Sequence, residues 1–254
     1  MTAPQPVVVR SPVRCVDGLR VSIHVQGEGD PLLLINGMTR PLQSWEPFTQ
    51  HLRGRTIISY DSPGVGASPT PLLPLSIGAL AALAVAVLAA AGLPDTDAAD
   101  VLGFSHGGAV AQQLAKDSPL RLRRLVLAAT SCGVGATTGG RPPALRSIAP
   151  PRADRWQRPD PIGLLWQSLA VSSWSSIPFL GAIATPTLVV CGSRDRVVPP
   201  DNSRVLAARI PDARLVLLHA GHDLQRADPA ESMARLVEGF APTSQQPLRK
   251  SASG

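Results

Sequence analysis

Short runs of leucine and β-branched residues alternate along the chain with longer stretches whose apolar positions recur at helical spacing. Strands are predicted over 19–25 (LRVSIHV), 31–36 (PLLLIN), 55–60 (RTIISY), 99–104 (ADVLGF), 123–129 (RRLVLAA), 186–191 (PTLVVC) and 214–218 (RLVLL). Helices are predicted over 41–53, 76–92, 106–117, 202–209 and 228–240. This alternation is expected of an α/β fold with a mostly parallel sheet covered by helices on both faces. A chain of 254 residues with 44% hydrophobic content is long enough for the core of one such domain.

One connection breaks the rhythm. Residues 130–185 separate two strands that an ordinary α/β link joins in about 2–6 residues. The first part of this insertion, 139–161, is rich in proline and arginine; the second, Leu164–Leu180 (LLWQSLAVSSWSSIPFL), is apolar and aromatic. The expected organisation is a core of 13–129 and 186–241, a short lid over 130–185, and a disordered tail over 242–254, which lacks apolar residues to bury. Residues 75–93 (LSIGALAALAVAVLAAAGL) carry no charge. Alanine dominates them and they lie between two strands of one sheet, so they read as a packed helix and not a transmembrane span. Their missing charged face raises the expectation that a second copy of the chain or an apolar polyester surface covers part of it.

Composition narrows the function classes. The formal net charge is +6, yet only Lys116 and Lys250 among the 24 basic residues are lysines, arginine is scattered, and aromatics make up 4%. No basic stripe interleaved with aromatics marks a nucleic-acid interface. Cys15, Cys132 and Cys191 are odd in number and widely spaced, which gives neither a disulfide framework nor a zinc site. The N-terminus shows no charged leader followed by an apolar core, and a cytoplasmic setting is expected.

The chemistry concentrates at Gly103-Phe104-Ser105-His106-Gly107, placed between an apolar strand and a helix. Such a turn is a nucleophile elbow: small residues at Gly103 and Gly107 let the backbones approach while strained Ser105 stands clear of the sheet. A serine hydroxyl needs a base, and the base needs an acid to hold its tautomer. His222, in Ala220-Gly221-His222-Asp223 after the last strand, is favoured as base over His219, which still belongs to the strand's alternation. His24 and His51 lie elsewhere, and the His106 side chain is expected to point away down the elbow. Asp195, following the strand that ends at Cys191, is the favoured acid; Asp201 reads as a helix N-cap, and Asp223 is too near His222 in sequence. The amides of Met38 and His106 are the expected oxyanion donors, with Gly37 letting the first loop approach substrate. Trp45, Trp166, Trp174 and Phe179, with Gly37, are expected to line an apolar substrate pocket. No metal or organic cofactor is required.

The segments PLLLINGM, SYDSPGVGAS, DVLGFSHGGAVAQQLAKDSP, RRLVLAAT and PTLVVCGSRDRVVP together resemble the α/β-hydrolase superfamily from about Val13 to Ala241. Within it, they resemble the intracellular medium-chain polyhydroxyalkanoate depolymerases. The resemblance implies the α/β-hydrolase fold and a serine hydrolase that cleaves aliphatic or hydroxyalkanoate esters, small or oligomeric. Ser105, Asp195 and His222 then form the triad, with Met38 and His106 as oxyanion donors. Lactonases and cofactor-free haloperoxidases or perhydrolases share this triad, whereas a non-catalytic binding member of the fold would be expected to have lost it.

Overall fold

The computed structural model describes residues 12–136 and 160–240. Its strands are β1 (Val13–Val16), β2 (Leu19–Gln26), β3 (Asp30–Ile35), β4 (Arg55–Tyr60), β5 (Ala99–Phe104), β6 (Leu122–Ala128), β7 (Thr187–Gly192) and β8 (Ala213–Leu218). They form one eight-stranded sheet in the order β1-β2-β4-β3-β5-β6-β7-β8. β2 is antiparallel to both β1 and β4, and every other neighbouring pair is parallel. The seven predicted strands are present with ends shifted by at most one residue. β1 was not predicted, being a short edge strand with three of its four residues exposed. The signal for it lay in Asp17-Gly18, whose φ values of 47° and 77° make the two-residue hairpin turn.

Helices cover both faces. In chain order they are α1 (Glu46–Thr49), α2 (Ile77–Ala90), α3 (His106–Asp117), α4 (Pro161–Ser172), α5 (Pro200–Arg209) and α6 (Ala227–Glu238). The helix expected over 41–53 is only a 3-10 turn at Leu42–Trp45 and the single turn of α1, because Pro47 has no N–H with which to continue the first turn. α4, inside the insertion, was not foreseen as a helix. Asp160 caps it by accepting from the Ile162 amide at 2.9 Å, and Pro161 opens it. α5 starts earlier than expected, at Pro200, so Asp201 is not its N-cap but a first-turn residue paired with Arg204 at 2.5 Å.

The charge-free helix α2 buries Ile77, Leu80, Ala81, Leu83, Ala84, Val87 and Leu88 and exposes Ala79, Ala82 and Ala89. Its outward face is therefore made of methyl groups, which cost little in water. Among the described residues, no helix is long and apolar enough to cross a membrane. Residues 242–254 and most of the proline-rich half of the insertion, both given expectations above, lie outside the described residues.

Alternation along β3 divides the core. Leu33 and Ile35 join Val101, Leu125, Leu127 and Val189 beneath α2, α3 and α5, while Leu32 and Leu34 join Leu102, Phe104, Val126 and Val190 beneath α1 and α6. Strands buried on both faces explain why the sequence reads as continuous apolar runs. The chain leaves β3 toward one edge of the sheet and β5 toward the other, so their carboxyl ends open a crevice.

At the start of β5 the pattern is broken by Asp100, whose side chain is 2% exposed. Arg55 reaches it at 2.6 Å and Arg123 at 2.9 Å, and Arg124 also pairs with it. Burial alone would raise this carboxyl, but the guanidinium groups of Arg124, Arg123 and Arg55 outweigh it and hold the group below the usual carboxylate range. Replacing Asp100 with alanine takes from Arg55, Arg123 and Arg124 the carboxylate they share, leaving, among the described residues, Arg55 only Glu238 at 3.0 Å and Arg123 only Asp30 at 3.1 Å, and should cost about 3–5 kcal/mol. That is a fall in Tm of roughly 10 °C, readable by thermal denaturation. Because the folded pKa is depressed, the wild-type carboxylate contributes its stability above the unfolded value of 3.8 and loses it as pH falls through the folded one.

Candidate active site

Ser105 sits between β5 and α3 at φ 52°, ψ −117°, a conformation that a non-glycine residue adopts only under constraint. Three glycines make the turn close enough to impose it. A Cβ on Gly103 would lie 2.4 Å from the Gly107 carbonyl oxygen, one on Gly107 would lie 2.2 Å from that of Ile35, and one on Gly108 would strike Thr130 at 2.5 Å. The Thr130 hydroxyl donates to the Ser105 carbonyl at 2.7 Å and pins the turn from β6.

Two loops meet this serine. His222 reaches over from the loop after β8, with Nε2 3.1 Å from Ser105 Oγ and Nδ1 2.8 Å from Asp195 Oδ2. Asp195 follows β7 and its side chain is fully buried; its other oxygen, Oδ1, accepts from the Val197 and Val198 amides at 2.8 and 2.9 Å. The carboxylate is thus oriented by its own turn before it meets the imidazole. The His222 ring packs 5.2 Å from that of Phe104, and the Arg40 guanidinium lies 5.4 Å from the same Phe104 ring. The rivals are elsewhere: His219 is exposed, and Asp223 pairs with Arg40.

The loop after β3 forms the second wall. Asn36 donates to the Pro41 carbonyl at 2.9 Å and to Ser44 Oγ at 2.7 Å, and its Oδ1 accepts from the Gly37 amide at 2.9 Å. Gln225, three residues after His222, donates to Ser44 Oγ at 2.6 Å and to Asn36 Oδ1 at 3.3 Å. From α4, Gln167 Oε1 accepts from the Thr39 amide at 3.0 Å. Asp61, fully buried, accepts from the Leu42 and Ala67 amides at 2.7 and 2.9 Å, and burial raises its pKa despite those bonds. These contacts hold the Gly37–Met38 turn against the elbow. Among the described residues, the amides of Met38 and His106 meet no backbone acceptor.

A cavity of about 230 Å³ opens beside Ser105, lined by Met38, Arg40, His106, Ala109, Thr130, Ser131, Val171, Val197, Val198 and His222. The expected aromatic lining is not what surrounds it. Trp45 is 1% exposed and packs on Phe48 and Phe104 in the core under α6. Trp166 turns outward to donate to the Pro71 carbonyl at 3.1 Å. Trp174 donates to Gln113 Oε1 at 2.8 Å and stacks edge-on against Phe179 over α3. Gly37 meets Phe104 and the Ser105 side chain, so it spaces the loop from the elbow without lining the cavity. What α4 contributes to the lining is Val171. The His106 ring does not point away down the elbow: it is buried on the cavity wall, where burial pushes its pKa down to about 4. Among the described residues, no group of three or more histidines, cysteines or carboxylates could hold a metal ion.

Comparison with known proteins agrees with this architecture. The model of the alpha/beta hydrolase family matches residues 32–236. The chain belongs to that family. A poly(3-hydroxyalkanoate) depolymerase from Ectopseudomonas oleovorans is 33% identical over 277 residues, covering 96% of this chain and 95% of its own. A 2-hydroxymuconate semialdehyde hydrolase from Pseudomonas putida is 31% identical, covering 88% of this chain and 91% of its own. In structure, a hydrolase from Pseudomonas aeruginosa PA01 superposes with a TM-score of 0.77 at 28% identity, over 92% of this chain and all of that one.

In this α/β hydrolase, several residues that shape the site gave little signal in the sequence. Asn36 and Arg40 in the loop after β3, Gln167 in α4 and Gln225 after β8 come from three separated segments and meet only after folding. Arg40 and Asp223 tie the loop after β3 to the loop that carries His222. The Asp160-Pro161 pair was the one local clue to α4, and hence to Gln167 and Val171.

Proposed function

We propose that this α/β hydrolase cleaves carboxylic esters through Ser105, His222 and Asp195. The observation that carries the reading is the unbroken run of hydrogen-bond distances from Ser105 Oγ through both nitrogens of His222 to Asp195, 3.1 and then 2.8 Å. With Asp195 holding Nδ1–H, Nε2 is left as the base that takes the serine proton. Ser105 Oγ attacks the ester carbonyl, the oxyanion rests on the Met38 and His106 amides, and His222 returns the proton to the departing alcohol. Water, deprotonated by the same imidazole, then releases the acid and restores Ser105. Asp61 and the Asn36–Ser44–Gln225 bonds act by positioning the loop that carries Met38.

The substrate is an aliphatic or hydroxyalkanoate ester. Met38, Ala109, Val171, Val197 and Val198 give the cavity an apolar wall, and the depolymerase relative acts, by its name, on a hydroxyalkanoate polyester. At about 230 Å³ the cavity takes one short acyl chain. Among the described residues of the insertion, α4 closes one side of the cavity through Val171.

A fluorophosphonate probe should label wild-type protein at Ser105, and a series of p-nitrophenyl esters from acetate to decanoate should be hydrolysed fastest toward its short-chain end. Failure of both labelling and hydrolysis sinks the reading.

A further inference from the structure

Gly37, Met38, Thr39 and Arg40 form a β-turn, closed by the Arg40 amide donating to the Gly37 carbonyl at 3.2 Å. Its third residue, Thr39, stands at φ 60°, while Met38 keeps a negative φ. That combination is the type II turn, whose third position is the place for glycine or asparagine. A β-branched residue there is strained and stays only where its surroundings impose it. Flipping the Met38–Thr39 peptide into the type I form would relieve the strain, because Thr39 would then take an ordinary negative φ.

The flip would turn the Thr39 N–H to the opposite side, so a group that accepts from that N–H selects the type II form. Gln167 Oε1 accepts from it at 3.0 Å, on a residue 4% exposed and 128 positions away. The helix that carries Gln167 is seated by other contacts. A Cβ on Gly163 would lie 2.4 Å from the Gly64 carbonyl oxygen, so α4 crosses the loop after β4 backbone to backbone, and Trp166 donates to the Pro71 carbonyl at 3.1 Å. One residue past Gln167, the Ser168 hydroxyl comes within 3.6 Å of Met38 Sδ, so α4 bears on the turn at two points.

Resting on the ester-hydrolase reading above, we infer that Gln167 is a positioning residue for the oxyanion hole: its side-chain carbonyl holds Thr39 in the strained turn, and that turn aims the preceding Met38 amide at the oxyanion formed on Ser105. The flip to type I changes ψ of Met38 by about 150°. Met38 Sδ is held against Ser168, so the Gly37–Met38 peptide that carries the donor shifts with it. An oxyanion donor acts at about 2.7–3.1 Å from its oxygen, and a misplacement near 1 Å costs about a hundredfold in rate. Gln167 touches neither substrate nor Ser105 in this scheme. It acts through Thr39, and so makes the seat of α4 part of the catalytic geometry.

The test measures kcat and KM of the full chain on p-nitrophenyl butyrate. Gln167→Met keeps the volume and the helix but removes the acceptor; kcat should fall about 10- to 100-fold while KM changes less than about threefold. Gln167→Glu, which keeps an oxygen in that place, should recover part of the loss. Thr39→Gly removes the strain, so in that background Gln167→Met should cost less than about threefold in kcat. A side chain that merely packs α4 gives the same loss in both backgrounds, and that result overturns the inference. So does a Gln167→Met protein within about threefold of the wild-type kcat. In the wild-type chain, amide exchange followed by NMR should find the Thr39 N–H protected by at least about 100-fold, and an unprotected Thr39 N–H overturns the inference whether or not any variant folds. A wild-type chain that turns over no p-nitrophenyl ester defeats the ester-hydrolase reading and this inference with it.

Discussion

Ser105→Ala should lower kcat on every ester that the wild-type protein turns over by roughly 10⁴- to 10⁶-fold, leaving only what the oxyanion donors and binding supply. The fold should be untouched, because alanine occupies the same backbone conformation and the turn is held by Gly103, Gly107, Gly108 and the Thr130 hydroxyl and not by the serine side chain. A companion variant separates chemistry from strain. At φ 52° and ψ −117° a side chain is disfavoured, so Ser105→Gly should be as inactive as Ser105→Ala yet more stable by about 1 kcal/mol. In a chain of this length that is a rise in Tm of roughly 2–4 °C. Kinetics and thermal denaturation on the two variants check both halves, and a Ser105→Ala protein with more than a hundredth of wild-type activity would remove Ser105 from the mechanism.

Asp195→Asn should lower kcat by about 10³- to 10⁴-fold while leaving stability nearly unchanged. The asymmetry of the two carboxylate oxygens explains both expectations. Oδ1 accepts from the Val197 and Val198 amides, and an asparagine carbonyl can keep those bonds. The amide NH₂ then takes the place of Oδ2, opposite His222 Nδ1. A donor there forces Nδ1 to accept, which moves the imidazole proton to Nε2 and leaves the nitrogen 3.1 Å from Ser105 unable to take a proton. Asp195→Ala should lose the activity and also destabilise, since two amides in a part-buried turn lose their acceptor. If Asp195→Asn retained activity within tenfold of wild type, the acid would have to be sought at Asp223, now paired with Arg40.

How much of this was legible beforehand depended on whether the deciding forces were local. The elbow was, because Gly103, Ser105 and Gly107 sit within five residues and the strand and helix around them each carry their own pattern. So were β3 through β7, whose apolar runs report burial on two faces. The aromatic pocket was not. Trp45, Trp166, Trp174 and Phe179 were placed in it because large apolar residues near a site suit a substrate, yet the same property suits a core, and three-dimensional packing sent each of them elsewhere. The His106 ring was misjudged for a related reason: the direction of a side chain just past a strained turn depends on what packs over it, and that is α4, from the far end of a long insertion.

The sequence by itself therefore determined the α/β class, the sheet, the turn that presents Ser105 and the chain positions where Asp195 and His222 stand, since periodicity, glycine spacing and the ends of strands are read from neighbours along the chain. Only the tertiary structure decided that Asn36, Ser44 and Gln225 brace the loop carrying Met38, that Arg40 ties it to the loop of His222, and that valines and a buried imidazole wall the cavity. Those contacts join residues up to 189 positions apart. No local pattern encodes them; they exist because the sheet order brings the loops after β3, β5, β7 and β8 to one edge, where burial makes each polar atom find a partner.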